Sequence, residues 1–391
     1  MLLDRLRRVT RDGLWIPEID GLRFVAISTV LLFHLKGELM YGSGRIIEIE
    51  PNYWWLDRLL TNGDRGVSLF FVISGMILAL PFARNLLLGA KPVSLRKYYT
   101  RRLTRLEPPY IASMILVSAA YFLYWHKVAP GFAFHALVSA FYQHSLVFGQ
   151  MSWVNPAAWS LEVEIQFYVL APLAMRCYCI RRRGLRRTSL LLSILCISLA
   201  QMPFQTWPRV NLSILFYLQY FLMGLLVADI FVLDIEGMKS SWLWDLAGVA
   251  ALGTIFLPGK ATYLPHVLMP IPIGVLCISA MRSYGLRRVF ANRWVAVIGG
   301  MCYSIYLLHW QLIASVWKVT RRAVLPGSVF LINFTIQLLL VTVPVITICT
   351  LFFILVERPC MNPNWPSSLW HTLTGRRESE VAVFDTVGVS D

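Results

Sequence analysis

Several side chains able to do chemistry stand inside stretches otherwise too apolar to carry them. The run IDGLRFVAISTVLLFHL (residues 19–35) holds Arg23 and His34, eleven residues apart. At 100° per helical residue they are about 20° from eclipsed, so both fall on one face, roughly 16 Å apart along the axis. An ionisable side chain at the centre of a membrane span costs about 2.5–3.5 kcal/mol on insertion scales, which makes each a functional candidate. An imidazole exchanges a proton near neutral pH, and a guanidinium clamps an anion through paired planar donors. The plainer reading has Arg23 snorkelling to lipid headgroups and His34 capping the far end of a helix. Sharing one face, the two look more like the ends of a path through a bundle.

A second group lies in NPAAWSLEVEIQFYVLAP (residues 155–172). Asn155 suits a helix cap and Pro156 a first helical turn. Ser160 and Glu164 are four apart and share a face, while Glu162 points about 160° away from Glu164. A carboxylate near a helix start can simply complement the dipole, but Glu164 is deeper and is followed by Gln166 and Tyr168. A third group, GGMCYSIYLLHW (residues 299–310), holds Tyr303, Ser304, Tyr306 and His309, with Tyr306 one turn before His309. A lone histidine there is often only a polar contact between helices. His126, His135, His144, His266 and His371 fall at loop or interfacial positions and are given no role. The segment ARNLLLGAKPVSLRKYYTRRLTRLEPPY (residues 83–110) reads as a basic loop with interleaved tyrosines. It suits anionic lipid headgroups, or a phosphorylated ligand held by Arg102 and Arg105.

The elements that position these groups follow from composition. Of 391 residues, 57% are hydrophobic and 15% charged, against about 25% charged in a soluble domain. The net charge of +15 does not mark a nucleic-acid binder, because long apolar runs separate the basic blocks. Disorder is excluded by the same numbers. Seven cysteines, an odd number and none in an expected outer loop, argue against a disulfide framework. Cys177-Tyr178-Cys179 lacks the spacing of a zinc site, and no metal is expected. The N-terminus shows no small-residue cleavage site after its first apolar run.

Apolar runs of about 20 residues span a membrane. They predict an all-α, polytopic transmembrane bundle of about ten membrane-spanning helices, near 20–36, 66–88, 108–126, 157–176, 188–204, 211–232, 242–258, 264–281, 294–316 and 328–356. The stretch 132–149 holds His135, Gln143 and His144 and is expected to be re-entrant or interfacial rather than an eleventh crossing. With both termini in the cytoplasm, 25 Lys and Arg fall on inner segments and 10 on outer ones, in the sense of the positive-inside rule. Lys318, Arg321 and Arg322 run against it. The expected organisation is one transmembrane domain over residues 1–359 and a loosely ordered cytoplasmic tail over 360–391.

Six motifs in this order resemble the membrane-bound acyltransferase-3 family, over residues 17–359. They are IDGLR with His34, GVSLFFVISG (66–75), RRLTRLEPPY (101–110), WSLEVEIQFY (159–168), YSIYLLHW (303–310) and VERP (356–359). The resemblance implies O-acylation of sugars or other hydroxylated molecules, with acyl-CoA, by default acetyl-CoA, as the cytoplasmic donor. It implies a bacterial cytoplasmic (inner) membrane protein whose partners are acyl-CoA, a carbohydrate or lipid-linked glycan and membrane lipids, not nucleic acid. His34, Glu164 and His309 are the implied catalytic residues, with Glu164 orienting or charge-stabilising an imidazole. Arg23, Arg102 and Arg105 are assigned to the CoA phosphates, and Ser160, Tyr303 and Tyr306 to the acceptor. A channel from Arg23 to His34, lined also by Glu164, would then carry the pantetheine arm.

The chain departs from the family pattern at three places. Ser68 stands where an acidic residue is usual, Glu162 where a small one is, and Cys302 where a serine is. Many relatives carry a fused extracytoplasmic hydrolase-like domain; the chain ends shortly after its last span, which reads as a stand-alone enzyme. A transporter or flippase of lipid-linked sugars is the rival class, though no repeat symmetry or paired broken helices appear. Lipopolysaccharide, exopolysaccharide and other polysaccharide, a lipooligosaccharide signal and a macrolide-type small molecule all fit as acceptors.

Overall fold

The computed structural model describes Leu6, residues 15–42, 49–125, 130–235, 237–259 and 267–362, and Trp365. His126, His266, His371 and nearly all of the expected tail lie outside the described residues. Every regular element among the described residues is helical. Eleven principal helices are used below: α1 (Pro17–Tyr41), α2 (Gly66–Leu88), α3 (Leu95–Ala120), α4 (Trp159–Ala174), α5 (Arg183–Ala200), α6 (Ile214–Leu233), α7 (Trp242–Phe256), α8 (Pro270–Arg282), α9 (Arg293–Gly300), α10 (Cys302–Thr320) and α11 (Phe330–Phe352).

Among the described residues, six helical runs are long and apolar enough to cross a membrane: Pro17–Tyr41, Pro51–Leu88, Leu95–Leu123, Arg183–Phe204, Pro208–Leu233 and Phe330–Cys360. The pair α9 and α10, bent by 69° where they meet, makes a seventh if taken as one span. Three expected crossings are filled by shorter helices, α4, α7 and α8, of 16, 15 and 13 residues. A straight helix needs about 20 residues to cover a ~30 Å core, so length alone gives six or seven crossings rather than ten. The outward faces carry exposed Leu191, Leu192, Leu195 and Leu199 on α5 and Leu339, Val343 and Leu351 on α11, while His309, Gln219, Asp229 and Glu162 are fully buried. Apolar outside and polar inside is the pattern of a multi-pass membrane protein.

Several boundaries differ from the sequence reading for local reasons. The basic segment expected as a loop is the first half of α3, because Ser94 caps it by accepting the Lys97 N–H and its Leu, Arg and Lys residues favour helix. The expected single span over 294–316 breaks after Gly299 and Gly300, where Gly299 lies against the backbone of Asp20. The stretch 132–149 is two short helices, Phe132–Ala140 and His144–Phe148, neither able to cross. Asn155 does cap, accepting the Ala157 N–H at 3.2 Å at the start of a helical run that continues through α4 to Cys179.

The core is built on α2 and α6, where Gly75 and Gly224 let the two backbones touch. Around it, α1 packs on α2, α9 and α10, α11 on α10, α5 on α6, and α7 on α8. A buried ionic cluster ties α5 to α6: Arg186 and Arg187 both bond Asp229, Arg187 from its Nε at 2.6 Å, and Arg187 also bonds Asp234. Glu162 also serves the fold, its Oε2 accepting the Ser145 N–H at 2.8 Å.

Candidate active site

Helices α1 and α10 lie side by side and run in the same direction. Gly42 is against Trp317, His34 against His309, and Arg23 within electrostatic reach of Cys302. One face of α10 thus presents Tyr303, Tyr306, His309 and Trp310 in successive turns, and one face of α1 presents Arg23 and His34 at its two ends.

At the His34 end, two imidazoles meet. Their ring centroids are 5.1 Å apart, and His34 also sits edge-on to Trp310 at 4.4 Å. His309 is fully buried, with Nδ1 2.8 Å from the Tyr306 carbonyl oxygen. A carbonyl can only accept, so Nδ1 carries the hydrogen and Nε2 of the neutral ring is left with its lone pair. That Nε2 is buried and has no hydrogen-bond partner among the described residues. An imidazole pair in which one ring reaches open space and the other keeps an unsatisfied ring nitrogen is suited to take up a hydroxyl proton. His34 is half-buried and lines a cavity of about 390 Å³ that opens around the C-terminal end of α1, with Gly37, Glu38, Thr61, Trp310 and Ile313 among its walls.

At the other end stands a charged cluster. Arg23 pairs with Asp20 at 2.6 Å, and Asp20 also accepts the Trp15 indole N–H at 2.9 Å. Glu164 Oε1 accepts the hydroxyls of Ser74 at 2.5 Å and Tyr168 at 2.6 Å. Arg102 lies over the Tyr98 ring, 3.7 Å from its centroid, and 5.6 Å from that of Tyr168; its Nη1 donates to the Tyr98 carbonyl and its Nε is buried without a partner. The Glu164 charge acts on both Arg23 and Arg102. Arg105 is half-buried and near enough to Arg102 for the like charges to repel.

The structure thus brings His34 to His309, and Arg23, Arg102 and Glu164 to one another, but keeps the two groups apart. Two expectations are corrected. Glu164 does not orient an imidazole: its Oε1 is taken by the hydroxyls of Ser74 and Tyr168, and the His309 Nδ1 is held by the backbone of its own helix. Nor do Arg23 and Glu164 line the cavity at His34, whose walls come from α1, α10 and Thr61. The hydroxyls assigned to an acceptor are spent inside the protein. Tyr306 accepts from Ser160 at 2.6 Å and donates to the Ala157 carbonyl at 2.9 Å, and Tyr303 donates to the Leu106 carbonyl at 2.8 Å.

Three groupings escaped the sequence reading. Lys36, two residues beyond His34, donates to Asp57 and Thr61 at 2.5 Å each beside the cavity. Ser74, inside the quoted GVSLFFVISG motif, is the hydroxyl at Glu164. Glu357 of VERP accepts from the backbone N–H of Ser304 at 3.0 Å and from its hydroxyl at 2.5 Å, so two of the six motifs meet in space.

A family model described as an acyltransferase domain matches residues 16–354. Among curated proteins, the chain is similar to the peptidoglycan O-acetyltransferase OatA of Listeria monocytogenes, 25% identical over 79% of this chain and 51% of that protein. It is similar to the O-acetyltransferase OatA of Staphylococcus aureus, 24% identical over 83% of this chain and 55% of that protein. The chain spans about half the length of the curated relatives it matches. No solved structure matches it.

Proposed function

The chain belongs to the acyltransferase-3 family, and from that premise we propose that it is an integral membrane O-acyltransferase, moving an acetyl group from cytoplasmic acetyl-CoA to a hydroxyl of a cell-envelope carbohydrate. The observation that carries this reading is the His34–His309 pair beside a cavity, with the His309 Nε2 unbonded among the described residues. Among the acceptors the sequence allows, the name of the Listeria relative favours a peptidoglycan-type glycan.

Bound acyl-CoA supplies a thioester carbonyl that is already activated. The residues that would hold it are Arg102 and Arg105, and the unbonded Arg102 Nε supports this as a spare donor for a phosphate. Arg23, fixed by Asp20, faces the same group. His34 takes the acceptor hydroxyl proton as that oxygen bonds the acetyl carbonyl carbon and the C–S bond to CoA breaks, the proton then passing to the departing CoA thiolate, while His309 stands against His34 as the second imidazole. Glu164, rather than orienting a histidine, balances the arginine charges and holds Ser74 and Tyr168. Ser160 and Tyr306 tie α10 to α4 and Tyr303 ties it to α3, so that His309 stays against His34.

In the ten-crossing arrangement α1 is the first span and α10 the ninth, which requires them to run the same way, as they do. The short helices α4, α7 and α8 complete the count, α4 through the helical segments that flank it. With both termini in the cytoplasm of a bacterial inner membrane, the arginine cluster faces the donor and the cavity at His34 faces outward. The test is base-labile acetate on envelope glycans of cells with and without the full chain. The reading requires an increase that needs acetyl-CoA; no increase, with the protein present in the membrane, overturns it.

A further inference from the structure

Several glycines in this bundle sit where a Cβ would collide with a neighbouring helix, as Gly75, Gly224 and Gly299 do. Gly37 does not. It lies inside α1, its backbone is not left-handed, and a Cβ built on it would meet nothing within 4 Å among the described residues. Neither packing nor backbone geometry asks for glycine there, and glycine is the poorest helix former after proline. It follows His34 by three residues, on the same face one turn on. Both residues line the cavity of about 390 Å³.

The walls around that open space describe what fits it. Trp310, 37% exposed, offers an aromatic surface beside His34. Thr61 and Glu38 supply polar groups. The nearby charges are matched: Lys36 Nζ is held by Asp57 and Thr61, and Glu38 has Lys318 within electrostatic reach. Nothing here would prefer an ionic ligand over a neutral one. The volume lies at the small end of ligand pockets, room for one or two rings.

We propose that Gly37 is the specificity-determining position of the acceptor pocket: its missing side chain leaves the room in which an uncharged, hydroxyl-bearing sugar ring lies against Trp310 with one hydroxyl at His34. This rests on the acyl-transfer reading above and adds to it which residue limits acceptor size.

The test uses membrane vesicles holding the full chain and the host's own envelope glycan, supplied with radiolabelled acetyl-CoA and scored for base-labile label on glycan. Gly37→Phe should transfer at least about tenfold less than wild type at equal membrane level, since a filled pocket excludes what it held. Gly184→Phe is the control: its Cβ also meets open space, but it is not part of the cavity. Should Gly37→Phe fail to accumulate, Gly37→Cys gives the same answer on folded molecules. Treatment with benzyl methanethiosulfonate should abolish its transfer, dithiothreitol should restore it, and wild type treated in parallel should be unaffected. Full transfer by Gly37→Phe, or by the benzyl-modified Gly37→Cys, overturns the proposal. Absence of label with wild type itself overturns the acyl-transfer reading, and this inference with it.

Discussion

The rings of His34 and His309 lie 5.1 Å apart across the contact between α1 and α10, and His309 is fixed by its Nδ1, 2.8 Å from the Tyr306 carbonyl. One imidazole is therefore rigid and buried, while the other reaches a cavity. That division separates the effects of substitutions along the two helices.

His309→Gln removes the imidazole while keeping a side-chain donor of similar length for the Tyr306 carbonyl. Transfer should fall by about 10²–10⁴, the range of a lost acid–base partner, with the same thermal stability in detergent. Retained transfer would reduce His309 to a packing residue.

The hydroxyl of Tyr306 bridges Ser160 on α4 and the Ala157 carbonyl. Tyr306→Phe should lower stability by about 0.5–2 kcal/mol, the net worth of buried hydrogen bonds in helical bundles, and transfer should fall only as far as His309 loosens. Thermal unfolding followed by size exclusion in detergent checks this. A much larger loss of transfer with unchanged stability would return Tyr306 to the acceptor.

Arg102 and Arg105 separate two roles. The double Arg102→Ala, Arg105→Ala variant should bind radiolabelled acetyl-CoA at least about tenfold more weakly, because charge-assisted hydrogen bonds contribute about 1.5–3 kcal/mol each. Unchanged donor affinity together with poor membrane insertion would assign these arginines to lipid headgroups instead.

Asp229 is fully buried between Arg186 and Arg187. Asp229→Ala leaves Arg186, itself 1% exposed, without its counter-charge, at a cost of about 3–5 kcal/mol. That is a large part of the stability of a fold. The variant should not accumulate as a monodisperse peak in detergent extracts, whereas substitution of the exposed Arg181 should leave that peak unchanged.

Helical spacing made much of the site legible. It put Arg23 and His34 on one face of α1 and identified His309 on α10, and the order of six motifs pointed to the family. Spacing says which face a residue takes, not which helix comes to meet it. The partner of Glu164 proved to be Ser74 on α2 and its own helix neighbour Tyr168, not a histidine. Lys36 falls at the outer end of the first expected span, and only the return of Asp57 on the short helix Trp54–Thr61 shows why it can lie buried in α1. The bend between α9 and α10 depends on Gly299 meeting the backbone of Asp20, a contact nearly 280 positions away in the chain that no window of sequence contains. The short α4, α7 and α8 share the hydropathy of longer spans, so composition alone overstated their length.

The central claim is that the acyl group is transferred at His34, and His34→Ala in vesicles supplied with radiolabelled acetyl-CoA tests it most directly. The account predicts base-labile label at background, with the variant present in the membrane at wild-type level and donor binding unchanged. Near-normal labelling by His34→Ala would contradict it.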